Sequence, residues 1–183
     1  MIKRKVPVII IALIISLTAL VGTTIAYLSS FAGPLENVFT IGDVSITLTE
    51  TTGQDYSMIP GKTITKDPIV TVKGSSESAW LYVKVTKTMN FDDYLSFEMA
   101  DGWKQLDGHP GVYYRSTTRA FSDTSFTIIK DNAVIVSSTL TEEKMTAISV
   151  FPRVSFTAYA IQAHGIESAL DGWIKLTGED GGR

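Results

Sequence analysis

The sequence predicts an all-β domain: a jelly-roll or immunoglobulin-like antiparallel β-sandwich with one or two short helices, preceded by an apolar N-terminal signal helix. Three observations carry that prediction. Apolar and polar residues alternate with a period of two in several stretches, as half-buried strands require. Clusters of Gly, Pro and Asp separate those stretches at turn-sized intervals. The apolar excess also sits at one end: the chain is 44% hydrophobic and 19% charged, with mean hydropathy +0.16, yet Val6 to Leu28 carries no charged side chain. Chain length, 183 residues with no cysteine, suits one domain plus an appendage and leaves room for a real core without disulfides. It excludes a disulfide-stapled miniprotein, thiol chemistry and Cys-based zinc or iron–sulfur sites. A net charge of −3 argues against a nucleic-acid partner, which selects a basic face.

The N-terminus reads as an export signal. Lys3, Arg4 and Lys5 form a basic n-region ahead of the run Val8 to Val21, and basic residues held on the cytoplasmic side orient such a segment. Thr24 and Ala26, small residues two apart, fit the pockets of a signal peptidase cutting between Ala26 and Tyr27. The rival reading is an uncleaved anchor, because Val8 to Leu28 is 21 residues and about 20 helical residues span a bilayer core. Cleavage leaves 157 of the 183 residues, with 13 Lys+Arg against 19 Asp+Glu, a net charge of −6. The organisation is therefore a signal peptide over 1–26, an arm over 27–36, a sandwich over 37–176 and a disordered tail over 177–183.

Strand signals follow in order. Val44, Ile46 and Leu48 alternate with Ser45, Thr47 and Thr49, predicting a strand from about Phe39 to Thr49. Residues 51–55 form a loop, and Pro60-Gly61 marks a type II turn. Ile69–Lys73 and Trp80–Thr88 are further strands, the latter with Leu81, Val83 and Val85 on one face and Tyr82, Lys84 and Thr86 on the other. Phe97–Lys104, Val112–Arg115 and Ser125–Lys130 are expected around turns at Asp101-Gly102 and at 107–111. A long final strand over Ala147–Ala163 alternates Val154, Phe156, Ala158 and Ala160 with Ser155, Thr157 and Tyr159, with Pro152 at a bulge or edge. Thr141–Met145 is expected to form one helical turn capped by Thr141, and Ile166–Leu170 another.

Motifs for catalysis are weak. A zincin needs two His on one helix face, whereas His109 lies in a Gly/Pro turn and His164 follows a strand. Gly61-Lys62-Thr63 lacks the glycine five residues earlier that a phosphate loop needs, since position 56 is Tyr. No Gly-x-Ser-x-Gly occurs. Asp92-Asp93 and Glu142-Glu143 lack EF-hand spacing and read as solvated loop carboxylates. Trp80, Trp103, Tyr113, Tyr114 and Trp173 offer a carbohydrate-stacking platform, but aromatic residues in alternating strands more often pack in the core. No cofactor, metal or catalytic residue is predicted.

Four stretches carry a resemblance: Thr23-Thr-Ile-Ala-Tyr-Leu28, Asn37-Val-Phe-Thr-Ile-Gly-Asp-Val-Ser-Ile-Thr-Leu-Thr-Glu50, Pro60-Gly-Lys-Thr-Ile-Thr-Lys-Asp-Pro68 and Ala158-Tyr-Ala-Ile-Gln-Ala163. In this order they resemble the TasA/camelysin family of exported Gram-positive proteins with SipW-type signal peptides. The resemblance implies a jelly-roll-like sandwich, processing by a SipW-type signal peptidase and, for the best-known members, assembly into biofilm-matrix fibres. A camelysin-like metalloprotease activity is not carried over, for want of a zincin motif.

The expectation is thus an exported, non-enzymatic cell-surface or biofilm-matrix protein, located outside the cell and meeting the membrane only during export unless the signal stays uncleaved. Its expected partners are the signal peptidase, copies of itself in a fibre, and matrix or cell-envelope components. Cleavage frees an apolar arm bearing Tyr27, Leu28, Phe31 and Leu35, which adds as a strand to a neighbour's open sheet edge or packs on its own domain. The alternative is a monomeric surface-binding module, a carbohydrate or cell-envelope adhesin.

Overall fold

The structure is a computed structural model and describes residues 37–52 and 56–179. The signal segment and the arm, with Thr24, Ala26, Tyr27, Leu28, Phe31 and Leu35, lie outside the described residues, as do residues 180–183. In chain order the strands and helices are β1 (Asn37–Ile41), β2 (Ile46–Thr49), β3 (Thr63–Thr65), β4 (Ile69–Val72), β5 (Ala79–Lys87), α1 (Phe91–Tyr94), β6 (Leu95–Ser96), β7 (Lys104–Gln105), β8 (Val112–Thr117), β9 (Thr124–Thr127), β10 (Ala133–Val136), α2 (Glu142–Thr146), β11 (Val154–Gln162) and α3 (Ala169–Thr177). Among the described residues the fold is mostly β, compatible with the all-β class expected from the sequence, with three short α-helices rather than one or two.

Among the described residues the strands form three sheets, ordered β1-β11-β5-β8-β7, β3-β10-β6 and β2-β4-β9. The two nine-residue strands β5 and β11 are the spine, paired antiparallel from Val154↔Lys87 to Gln162↔Ala79. Their side chains alternate across the sheet as a period-two pattern requires. Leu81, Val83, Phe156, Ala158 and Ala160 on one face join a core shared with Ile46 and Leu48 of β2, Val70 and Val72 of β4, and Val134 and Val136 of β10. The opposite face carries Tyr82 and Ile161, which with Leu106 and Val112 bury against Ala169 and Trp173 of α3.

Several predicted elements differ. The strand expected over Phe39–Thr49 is two strands in two sheets, broken at Gly42. Gly42 has φ +88, and a Cβ there would meet the Gln162 side chain at 2.8 Å, so only glycine turns this corner without strain. β1 pairs with β11 in parallel, Asn37↔Thr157 to Ile41↔Ile161, an exception to the antiparallel expectation. Phe97–Lys104 is not one strand: the chain makes a single bridge, Met99↔Ile129, before β7 starts at Lys104. The strand near Ser125 stops at Thr127, and β10, absent from the prediction, follows a 3-10 turn over Lys130–Asn132. The final strand starts at Val154, not Ala147.

The helix expected at Ile166–Leu170 starts at Ala169 and ends at Thr177. Its N-terminus is set by Ser168, whose hydroxyl accepts from the Asp171 N–H at 3.1 Å, a cap that satisfies one of the first free amides of the helix. The predicted cap at Thr141 is present: its hydroxyl accepts from the Lys144 N–H at 3.3 Å. The Pro60-Gly61 turn closes with the Lys62 N–H donating to the Ile59 carbonyl at 3.0 Å.

Candidate functional site

The candidate site is the sheet edge where the chain enters the domain. β1 is the terminal strand of its sheet, and among the described residues no strand pairs with its far side. Asn-Val-Phe-Thr-Ile has β-branched and aromatic residues on both faces, which suits a strand with apolar neighbours above and below. Val38, Phe39 and Ile41 are nevertheless 38%, 53% and 43% exposed. An edge strand with open backbone groups and uncovered apolar side chains is a template for pairing with another chain. Beyond Asn37 the adjacent strand continues: Val154, Ser155 and Phe156 of β11 precede the first β1 partner, Thr157.

An aromatic column supports this edge from the outer face. The Phe39 ring stacks on Tyr159 at 5.0 Å, with planes 16° apart. Tyr159 meets Trp173 edge-on at 5.0 Å, and Trp173 lies 5.5 Å from Tyr82 and 6.2 Å from His109. Edge-to-face and offset contacts at these separations are favourable beyond the area they bury. The Tyr82 hydroxyl donates to the Ala169 carbonyl at 2.7 Å, locking the first turn of α3 onto the sheet. Lys84 pairs with Glu179 at 3.1 Å while its ammonium lies 5.9 Å from the Trp173 ring.

Ionisation at this site follows burial. Burial pushes the Tyr82 hydroxyl up, with the Asp171 carboxylate adding to it, so it stays a neutral donor to Ala169 across the physiological range. Burial also raises Tyr159, with Lys84 opposing and Glu179 adding. The chemistry on offer is backbone pairing and aromatic contact.

The other residues singled out from the sequence are dispersed. His109 is buried at 8% exposure beneath Trp173, and His164 is exposed beyond β11. Among the described residues no group of three or more His, Asp and Glu could hold a metal ion. Asp92 and Asp93 are exposed in α1, Asp92 pairing with Lys87 at 2.7 Å. Glu142 and Glu143 are exposed in the first turn of α2. Of the aromatic residues considered for carbohydrate stacking, Trp103 and Trp173 are buried. The Trp103 indole donates to the Thr127 carbonyl at 2.8 Å, and the Arg115 guanidinium lies over Phe126, 3.9 Å from its centroid.

Sequence reasoning missed the Phe39–Tyr159–Trp173 column. Its signal was present in part: Phe39 is the central residue of a β-prone pentapeptide, but nothing in the sequence states that its partner is Tyr159. Among the described residues no helix is long and apolar enough to cross a membrane. No protein-family model matches the chain, and a search of curated proteins finds no match to it.

Proposed function

We propose that this chain is an exported, non-enzymatic structural protein of the cell surface or biofilm matrix, similar to the TasA/camelysin family, whose subunits form fibres by N-terminal strand addition. The observation that carries the reading is the edge strand β1, which directly follows the expected arm at residues 27–36. Its far side is open among the described residues, and its apolar side chains are partly uncovered. A strand added there gains main-chain hydrogen bonds along one side and contacts to alternate side chains. Head-to-tail addition that does not close on itself yields a filament. The core shared by all three sheets supports a two-layer, jelly-roll-like sandwich as the subunit, and the basic n-region with Thr24 and Ala26 supports processing by a SipW-type signal peptidase.

Deleting Tyr27 to Pro34 while retaining the signal tests the mechanism. The expected product is a folded monomer with no fibres by electron microscopy, and fibres of normal appearance would defeat it. N-terminal sequencing of the exported protein tests processing: Tyr27 is expected, and Met1 would mean a membrane-anchored protein.

A further inference from the structure

The turn that follows β5 holds a thioether in water. The Phe91 N–H donates to the Thr88 carbonyl at 3.0 Å. Asn90 has φ −94 and ψ 5, the values of the third residue of a type I turn, which leaves Met89 as the second. Every other residue of the turn is tied down. The Thr88 N–H donates to the Arg153 carbonyl at 3.0 Å, and the Thr88 hydroxyl accepts from the Arg153 N–H at 2.9 Å. The Asn90 side chain donates to the Val150 carbonyl at 2.6 Å, and Phe91 is fully buried. Anchored on both sides, the turn directs Met89 outward, where it is 104% exposed. The neighbouring loop adds two uncovered apolar residues, Val150 and Phe151, at 61% and 37%. A side chain that packs against nothing lends the fold nothing by its shape. What sets Met89 apart from a leucine at this tip is the chemistry of its sulfur.

We infer that Met89 is a peroxide-reactive modification site, and that its oxidation turns this apolar end of the β5–β11 pair polar without unfolding the domain. A sulfur lone pair attacks one oxygen of hydrogen peroxide, and the S–O bond forms as the O–O bond breaks. The proton on the transferred oxygen passes to the departing one. Sulfur is oxidised by two electrons to the sulfoxide, and the peroxide is reduced to water. Susceptibility follows exposure, and the other methionines among the described residues are covered. Met58 is 3% exposed, while Met99 and Met145 are half-buried against the core. Met99 is held further by its bridge to Ile129. The chain has no cysteine, so no thiol competes for the oxidant. A sulfoxide is polar and chiral where the thioether is apolar, and it disrupts packing when buried. At Met89 there is no native packing to lose, so the change is confined to the surface. Methionine sulfoxide reductases return the thioether, one enzyme for each sulfoxide epimer. Nothing in this inference depends on the fibre reading.

Hydrogen peroxide added to the folded full-length chain, with each methionine followed by peptide mass spectrometry, tests it. Met89 is expected to gain one oxygen before Met99 and Met145, with Met58 last. Thermal melting of the protein oxidised at Met89 alone should match that of the untreated protein. Met89→Leu keeps the surface apolar and should fold normally, with the rates at Met99, Met145 and Met58 unchanged. Retention on a hydrophobic-interaction column should fall further on oxidation for the parent chain than for Met89→Leu, and treatment with both reductases should restore it. Met99, Met145 or Met58 oxidising as fast as Met89 overturns the site. A melting shift caused by the Met89 sulfoxide overturns the claim that the change is confined to the surface. Equal loss of retention in the parent chain and in Met89→Leu overturns the conversion of the apolar end.

Discussion

Gly172 in α3 sets two ordinary effects against each other, and the structure decides which wins. In an exposed helix interior, Gly→Ala stabilises by about 1 kcal/mol, because alanine loses less backbone entropy and has the best intrinsic helix propensity. At Gly172 a Cβ would collide with the Tyr82 hydroxyl oxygen and come within 3.2 Å of Ile161 Cγ2 and 3.4 Å of Ile166 Cγ2. Tyr82 is fully buried and its hydroxyl is engaged with the Ala169 carbonyl, so it has no free path of retreat. Overpacking costs about 1–3 kcal/mol, and displacing a buried hydroxyl from its acceptor costs a further 1–3 kcal/mol or so. Against a propensity gain of about 1 kcal/mol, Gly172→Ala should destabilise by roughly 1–5 kcal/mol. Urea unfolding followed by tryptophan fluorescence measures this directly, since Trp173 is the neighbouring residue in the helix. The double-mutant cycle with Tyr82→Phe isolates the cause. Removing the hydroxyl oxygen removes the worst contact, so Gly172→Ala should cost much less in that background, with a coupling of about 1–3 kcal/mol. The reasoning fails if Gly172→Ala stabilises the unmodified protein, or if its effect is the same in both backgrounds.

Two further predictions concern the loop after β2. Burial raises the Asp67 carboxyl, but hydrogen bonds from the hydroxyls and backbone N–H groups of Thr51 and Thr52 outweigh it and hold the group at about 2, below its ordinary 3.8. A depressed folded-state value stabilises above the unfolded one and is lost on acidification. Stability should therefore fall as pH drops from about 4 to about 2, and Asp67→Asn should flatten that slope in urea titrations at stepped pH. Lys66 is buried at 1% exposure, its ammonium donating to both Glu50 carboxylate oxygens at 2.6 and 2.7 Å. Lys66→Ala removes the cation from a largely buried carboxylate that keeps the Tyr56 hydroxyl at 2.9 Å and should cost about 3–5 kcal/mol, whereas Lys66→Met with Glu50→Leu, removing both charges, should cost less. Equal losses in the two variants by chemical denaturation would contradict this account.

What the sequence makes legible here is local. Strict alternation over Trp80–Thr88 and Val154–Ala163 locates the spine because a half-buried strand has no other way to sort its side chains. Thr141 ahead of Glu142 and Glu143 marks a helix start for the same kind of local reason. Other elements depend on partners far away in the chain. Phe97 to Ala100 alternates like a strand but meets one bridge partner, Ile129. Ala133–Val136 is a short apolar run with little polar interruption, and it is a strand because β3 and β6 flank it on either side. The last helix starts at Ala169, three residues beyond Ile166 where the sequence pattern places it, although Ser168 with Asp171 carries the cap signal; its register is fixed by Trp173 meeting Tyr82 and Tyr159. At the candidate site, the β-propensity of Asn37–Ile41 is visible in the sequence, but its parallel pairing is a long-range fact.

That pairing also sets an order of events. Asn37 and Thr157 are direct partners, so 120 positions of chain separate the two sides of one ladder. Contacts this remote in sequence form slowly, because the entropy of closing the loop is lost before any hydrogen bond offsets it. Made N-terminus first, the polypeptide presents β1 long before β11 exists, while β5 and β8 have each other within a much shorter span. Throughout that interval β1 is a strand with both edges open and no native partner to meet. Its proper seat is the last to be built, and the faster the rest of the domain condenses, the shorter the time in which a foreign edge can claim it.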